Sequence, residues 1–181
     1  RTTSRAAAAI REMSQVDTPW FLFVNYMEVH APYQPVGASV SPELEFSMRE
    51  ELHDLAAQGK SNPESAELLR ELYLQEVVQL DHEIGKLLAV AYETKRSLLV
   101  AVVGDHGEML GEFGLIEHGA SLHAEQLEVP LILSGPGIFK GVQLAGTVEI
   151  LEASHTLLAL SGLSTLGLDG RNLVAEAEQR R

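Results

Sequence analysis

Cysteine is absent from all 181 residues. That excludes disulfides, thiolate metal sites and a cysteine nucleophile within the chain. It leaves the compartment open, because a secreted protein need not contain cysteine. Basic residues are scarce: 13 Lys and Arg stand against 26 Asp and Glu, a formal charge of −13 with no basic tract to offset it. A binder that neutralises nucleic-acid phosphates is therefore not expected. No apolar run reaches the roughly 18 residues of a membrane-spanning helix. The chain opens on Arg1, and its early alanines make no leader core, so it reads as a processed or truncated product rather than a full gene product.

What is present is globular: 45% of residues are apolar and 22% charged. A chain of this length buries roughly 70% of its unfolded surface, enough for one domain with a sizeable core. Residues 5–14 read as the end of a helix broken by Asp17-Thr18-Pro19. Trp20-Phe21-Leu22-Phe23-Val24 is a continuous apolar run suited to a strand covered on both faces, with Trp20 and Phe23 in the core. It leads into Asn25, Glu28 and His30 and a proline-rich loop. A short helix is expected near 42–57, carrying an exposed His53. The clearest helix spans 64–93, where Leu69, Tyr73, Val77, Leu80, Ile84, Leu87 and Ala91 recur at three- and four-residue spacing. Further strands are expected at 97–103, 129–133 and 142–148, and a last helix at 150–161. Strands alternating with helices predict an α/β domain with helices on both sheet faces.

The polar residues gather where apolar runs end. The run at 20–24 delivers His30, that at 97–103 delivers Asp105 and His106, and a long loop then supplies His118 and His123. In open α/β sheets, sites collect beyond the carboxyl ends of strands, so these groups are expected at one cleft. Asp105 and His106 suit half of a divalent metal site, with Gly104 and Gly107 allowing close backbone approach. The competing reading is a turn-capping Asp beside an ordinary loop histidine. Glu108 and Glu112 are expected to be solvated or supporting neighbours of this motif rather than ligands. His123 is assigned a structural role, Asp81 and His82 packing or surface contacts, and His155 no chemistry.

Gly104-Asp105-His106-Gly107-Glu108-Met109-Leu110-Gly111-Glu112 resembles the metal motif of the sulfatase branch of the alkaline-phosphatase superfamily. Four flanking blocks resemble that family in the same order: Trp20 to Tyr33; Tyr73 to Leu88; His118-Gly119 with Glu128 to Gly137; and Asp169 to Leu173. The likeness covers roughly residues 5–175. It implies a three-layer αβα sandwich with a mainly parallel central sheet, and it implies that 1–181 is the C-terminal part of a hydrolase domain. It further implies that Asp105 and His106 bind metal, that His118 contacts the ester and assists the leaving group, and that His30 contacts substrate oxygens. The implied activity is metal-dependent hydrolysis of a small sulfate ester. Phosphate or phosphonate ester hydrolysis, or a non-catalytic binding module, are the alternatives. The implied cofactor is one divalent ion, Ca2+ ahead of Mn2+ or Zn2+. The family nucleophile, a formylglycine, is expected in an N-terminal half that these residues do not include. Thr2 to Ala7 superficially resembles the end of the nucleophile motif, but Arg1 occupies the nucleophile position and the stretch lies too close to His30.

Overall fold

The computed structural model describes residues 2–179, so Arg1 lies outside the described residues. The chain forms two compact units. One contains the chain up to Lys95 together with Glu108–Gln126, and the other contains Arg96–Gly107 together with the chain from Leu127.

The first unit is built on three helices: α1 (Thr2–Met13), α2 (Pro42–Ala57) and α3 (Pro63–Glu93). Helix α3 starts where the Asn62 side chain accepts from Ser65 N at 3.3 Å, with Pro63 supplying a pre-set first turn. It ends where the Thr94 hydroxyl donates to Ala91 O at 2.7 Å and Lys95 turns left-handed at φ 56°. Helix α2 is capped in the same way by Ser41. Leu69 and Leu72 of α3 pack with Tyr33, Met48, Leu52 and Ile116 in one buried cluster, while Ala6, Ala7 and Ile10 bury the inner face of α1. Tyr73 packs on the cluster, but Val77 is exposed, so the inward stripe of α3 is narrower than its periodicity predicts. A hairpin of β2 (Met109–Leu110) and β3 (Ile116–Glu117) closes this unit, paired antiparallel through Met109↔Glu117 and Leu110↔Ile116. Its bend needs Gly111, at φ 110°, where a Cβ would stand 2.8 Å from that of Ala66. The short helix α4 (Ala124–Leu127) follows.

The second unit holds β1 (Val100–Val103), β4 (Leu131–Ser134), α5 (Leu151–Leu160) and α6 (Leu173–Gln179). β1 and β4 pair antiparallel, from Val100↔Ser134 to Val103↔Leu131. The helical and strand elements fit the α/β expectation, but the mainly parallel sheet is not seen among the described residues. Parallel neighbours need a crossover helix. The chain between β1 and β4 is instead spent on the hairpin and a four-residue helix, and β4 returns antiparallel.

Two expected strands are corrected. Residues 20–24 and 142–148 form no strand. Phe21 and Phe23 are 79% and 76% exposed, alternating with half-buried Trp20, Leu22 and Val24, so this run has one covered face rather than two, and Phe23 is not in the core. Without a neighbouring strand to satisfy its backbone, an apolar run is not enough to make a sheet. Among the described residues, no helix is long and apolar enough to cross a membrane.

Candidate active site

Two loops of the first unit carry the histidines predicted to contact substrate. His30 follows Val29, a β-branched residue held at φ 69°, and His118 follows Glu117, held at φ 60°. Left-handed backbone at such residues costs about 1–3 kcal/mol and persists only when the surroundings enforce it. Glu76 of α3 supplies that restraint for the first loop: its carboxylate accepts from Val29 N at 3.1 Å and Gln34 N at 2.7 Å. Burial holds the Glu76 carboxyl above the usual range despite these two donors. The loop is also held at Tyr33, whose N–H donates to Glu45 Oε1 at 3.1 Å and whose buried ring meets Tyr73 edge-on at 5.7 Å.

The restraint on Glu117 comes from α2. Arg49 donates through Nε to Glu45 Oε1 at 2.8 Å and through Nη1 to Glu117, and His53 pairs with the other Glu117 oxygen at 3.1 Å. Burial raises the Glu117 carboxyl, but Arg49 and His53 outweigh it and hold it below the usual range. His53 thus sits exposed on α2, as expected, but with Glu117 as a partner. On the far side of His118, buried Gln126 accepts from Gly119 N at 3.4 Å and donates to Glu117 O at 3.5 Å.

These restraints bring His30 and His118 together, ring centroids 5.1 Å apart and planes at 69°. The His30 Nδ1 lies 2.7 Å from Ala31 O, which can only accept, so Nδ1 carries the proton and Nε2 is the nitrogen left for a ligand. The His118 Nδ1 lies 2.9 Å from Glu108 Oε1, with the Glu108 side chain only 5% exposed. Of the two sequence readings of Glu108, the solvated one is corrected and the supporting one fits this contact. Its signal was the hairpin itself, whose register sets positions 108 and 118 opposite one another. Burial first, and the negative charge of Glu108 next, push the Tyr33 phenol far above its usual value. Glu112 is also tied down, accepting from Arg70 at 2.6 Å and from Leu110 N at 2.7 Å. His123 stacks on Phe113 at 4.5 Å, in keeping with a structural role. A separate cleft of about 220 Å³ between α3 and the hairpin, lined by Asn62, Ala66, Arg70 and Gly111, contains neither His30 nor His118.

Asp105 and His106 follow β1 in the second unit. Asp105 Oδ1 accepts from the His106 N–H at 3.0 Å, the turn geometry of the competing reading, with the Asp105 side chain 90% exposed. The pair nevertheless fits a metal in two respects. The His106 Nδ1 lies 2.9 Å from Gly107 O and so carries the proton, which leaves Nε2 as a lone-pair donor, the arrangement that metal-bound histidines use. That Nε2 stands 4.0 Å from Asp105 Oδ1, within the span that two ligands of one ion can subtend at bond lengths of about 2.0–2.4 Å. Among the described residues no group of three metal-competent side chains occurs.

The Sulfatase family model matches residues 1–163 of this chain. The chain belongs to the Sulfatase family. It is similar to YidJ of Escherichia coli (strain K12), an uncharacterized sulfatase, with 27% identity over 198 residues, covering 99% of this chain and 39% of YidJ. It is also similar to the choline-sulfatase of Rhizobium meliloti (strain 1021), with 26% identity over 172 residues, covering 81% of this chain and 32% of that enzyme. Its fold is shared with the crystal structure of a candidate sulfatase from Bacteroides thetaiotaomicron VPI-5482, at a TM-score of 0.60 and 18% identity, covering 96% of this chain and 39% of that one. The chain therefore spans about two fifths or less of the length of these relatives.

Proposed function

We propose that this chain is the C-terminal part of a sulfatase-like hydrolase domain whose parent protein hydrolyses small sulfate esters in a metal-dependent reaction. The observation that carries the reading is the His30–His118 pair, two imidazoles held 5.1 Å apart by loops from distant parts of the sequence. Family membership and relatives named as sulfatases supply the chemical class. In this reading the complete domain is a three-layer αβα sandwich with a mainly parallel central sheet.

His30 and His118 present Nε2 to the ester oxygens. Protonated, His118 donates to the oxygen of the departing alcohol, and His30 donates to oxygens of the sulfate. Asp105 and His106 would hold a divalent ion, Ca2+ ahead of Mn2+ or Zn2+, together with ligands from outside these residues. Such an ion offsets negative charge on the transferring group. The nucleophile, a formylglycine in the family pattern, also comes from outside these residues. The 181-residue chain alone is then inactive.

The test uses the parent protein, with metal content measured beside turnover of an aryl sulfate and an aryl phosphate. Asp105→Ala removes the metal and nearly all hydrolysis. His118→Ala keeps the metal and lowers kcat by about 10²–10⁴-fold. Unchanged turnover in Asp105→Ala overturns the metal assignment. Faster hydrolysis of the phosphate replaces the sulfate reading by the phosphate one, and hydrolysis of neither ester leaves a binding module.

A further inference from the structure

We propose that Glu108 is the positioning residue for His118, a buried carboxylate that fixes the imidazole's tautomer and orientation so that Nε2 meets the ester. This rests on the ester-contacting role of His118 given above. Three observations support it. The Glu108 side chain is 5% exposed, and burying a carboxylate is costly unless a partner answers it; its Oε1 has His118 Nδ1 at 2.9 Å. The pairing is also built into the backbone. Met109↔Glu117 and Leu110↔Ile116 place Glu108 and His118 at the next facing positions of the same antiparallel hairpin, where side chains meet across strands. Finally, the backbone on both sides of His118 is gripped by Gln126, so the ring's remaining freedom is rotation about its side-chain bonds, and the bond to Glu108 removes it.

An ionised carboxylate only accepts hydrogen bonds, so it holds the proton on Nδ1. Nε2 is then the nitrogen that gains or gives a proton toward a ligand. A hydrogen bond that only closed the hairpin would make no demand on the other nitrogen, and this separates the two readings.

The experiment has two parts. Nitrogen-15 NMR of the imidazoles in this chain reads the His118 tautomer, with His30, held by Ala31 O, as internal control. Wild type is expected as Nδ1–H. Glu108→Ala, which removes the acceptor, is expected to shift His118 toward Nε2–H and leave His30 unchanged. Glu108→Gln keeps the shape and an acceptor oxygen but no charge, and is expected to keep the tautomer. If Glu108→Ala does not fold, Glu108→Asp, which withdraws the carboxylate by one methylene, takes its place and is expected to loosen the Nδ1–H preference.

In the parent protein, Glu108→Gln, which keeps the tautomer, is expected to stay near the wild-type kcat for an aryl sulfate, and Glu108→Ala is expected to lower it by about 10–100-fold with KM little changed. Added to His118→Ala, Glu108→Ala is expected to cost nothing further, because both changes act through one ring. An unchanged tautomer in Glu108→Ala or Glu108→Asp overturns the inference and leaves sulfate ester hydrolysis standing, as does a Glu108→Ala loss that persists without His118. A shifted tautomer with His118→Ala at full turnover supports control of the ring by Glu108 and overturns the ester role of His118 instead.

Discussion

His118 and His106 each hold Nδ1 against an oxygen, but the oxygens differ in kind. His118 meets a buried carboxylate just before the facing strand, inside a unit where Glu45, Arg49 and Glu117 link α2 to the hairpin. His106 meets the carbonyl of its own neighbour, beside an Asp105 side chain that is 90% exposed. The first histidine is organised by tertiary contacts that exist without any ligand. The second is held against its own local turn on an exposed stretch of chain, where a bound ion would add to the ordering. Groups that act by geometry gain from being fixed in advance. Exposed ligands remain able to close around a metal.

The sharpest way to break this contrast is to cut the network behind His118. Glu45 is wholly buried and carries both Arg49 and the Tyr33 N–H. Glu45→Ala is expected to destabilise the protein by about 3 kcal/mol, because it takes one of two carboxylates from a largely buried guanidinium and strands the Tyr33 amide. A denaturant midpoint within error of wild type would show that the network is not holding the loops.

A smaller effect compares the two histidines directly. His118→Ala leaves the buried Glu108 carboxylate without its partner and is expected to cost about 1–3 kcal/mol. His106→Ala removes a surface group and should stay within about 0.5 kcal/mol. Chemical denaturation of both variants without metal checks this, and equal losses would erase the distinction.

Acid provides the mildest probe. Burial raises Glu112, but its bonds from Leu110 N and Arg70 outweigh that and lower it, and Glu117 is lowered by Arg49 and His53 in the same way. With folded values below the unfolded carboxylate value of about 4.3, both contribute stability at neutral pH that is lost as pH falls through the folded values. Glu76 is raised by burial and works in the opposite sense, losing stability as pH climbs from the ordinary carboxylate value through its own. Melting temperatures are therefore expected to fall below about pH 4.3, and less steeply in Glu112→Gln/Glu117→Gln. An unchanged acid slope in that double variant would place the sensitivity elsewhere.

Local signals made much of the chain legible. Periodicity located α3 within a residue, and α2 lies where a short helix was expected; the Ser41-Pro42 and Asn62-Pro63 caps that start them are local signals of the same kind, seen here in the structure. The motif around Asp105 was equally plain. The apolar run at 20–24 was misread because burial on two faces is a property of neighbours, and a run of apolar residues does not supply them. Glu108 was underrated because its burial depends on a hairpin two residues wide, too short for any alternation to announce.

By itself, the sequence determined helices α1, α2, α3 and α5, the family and the identity of the chemical groups, since these follow from residue type and short-range spacing. Only the tertiary structure decided which groups share an environment: that His30 stands beside His118, that Glu108 is buried against it, and that Arg49 joins Glu45 to Glu117. Such pairings depend on loops and strands brought together by packing, and the energy of a charge depends on the partners and the water around it rather than on its place in the chain.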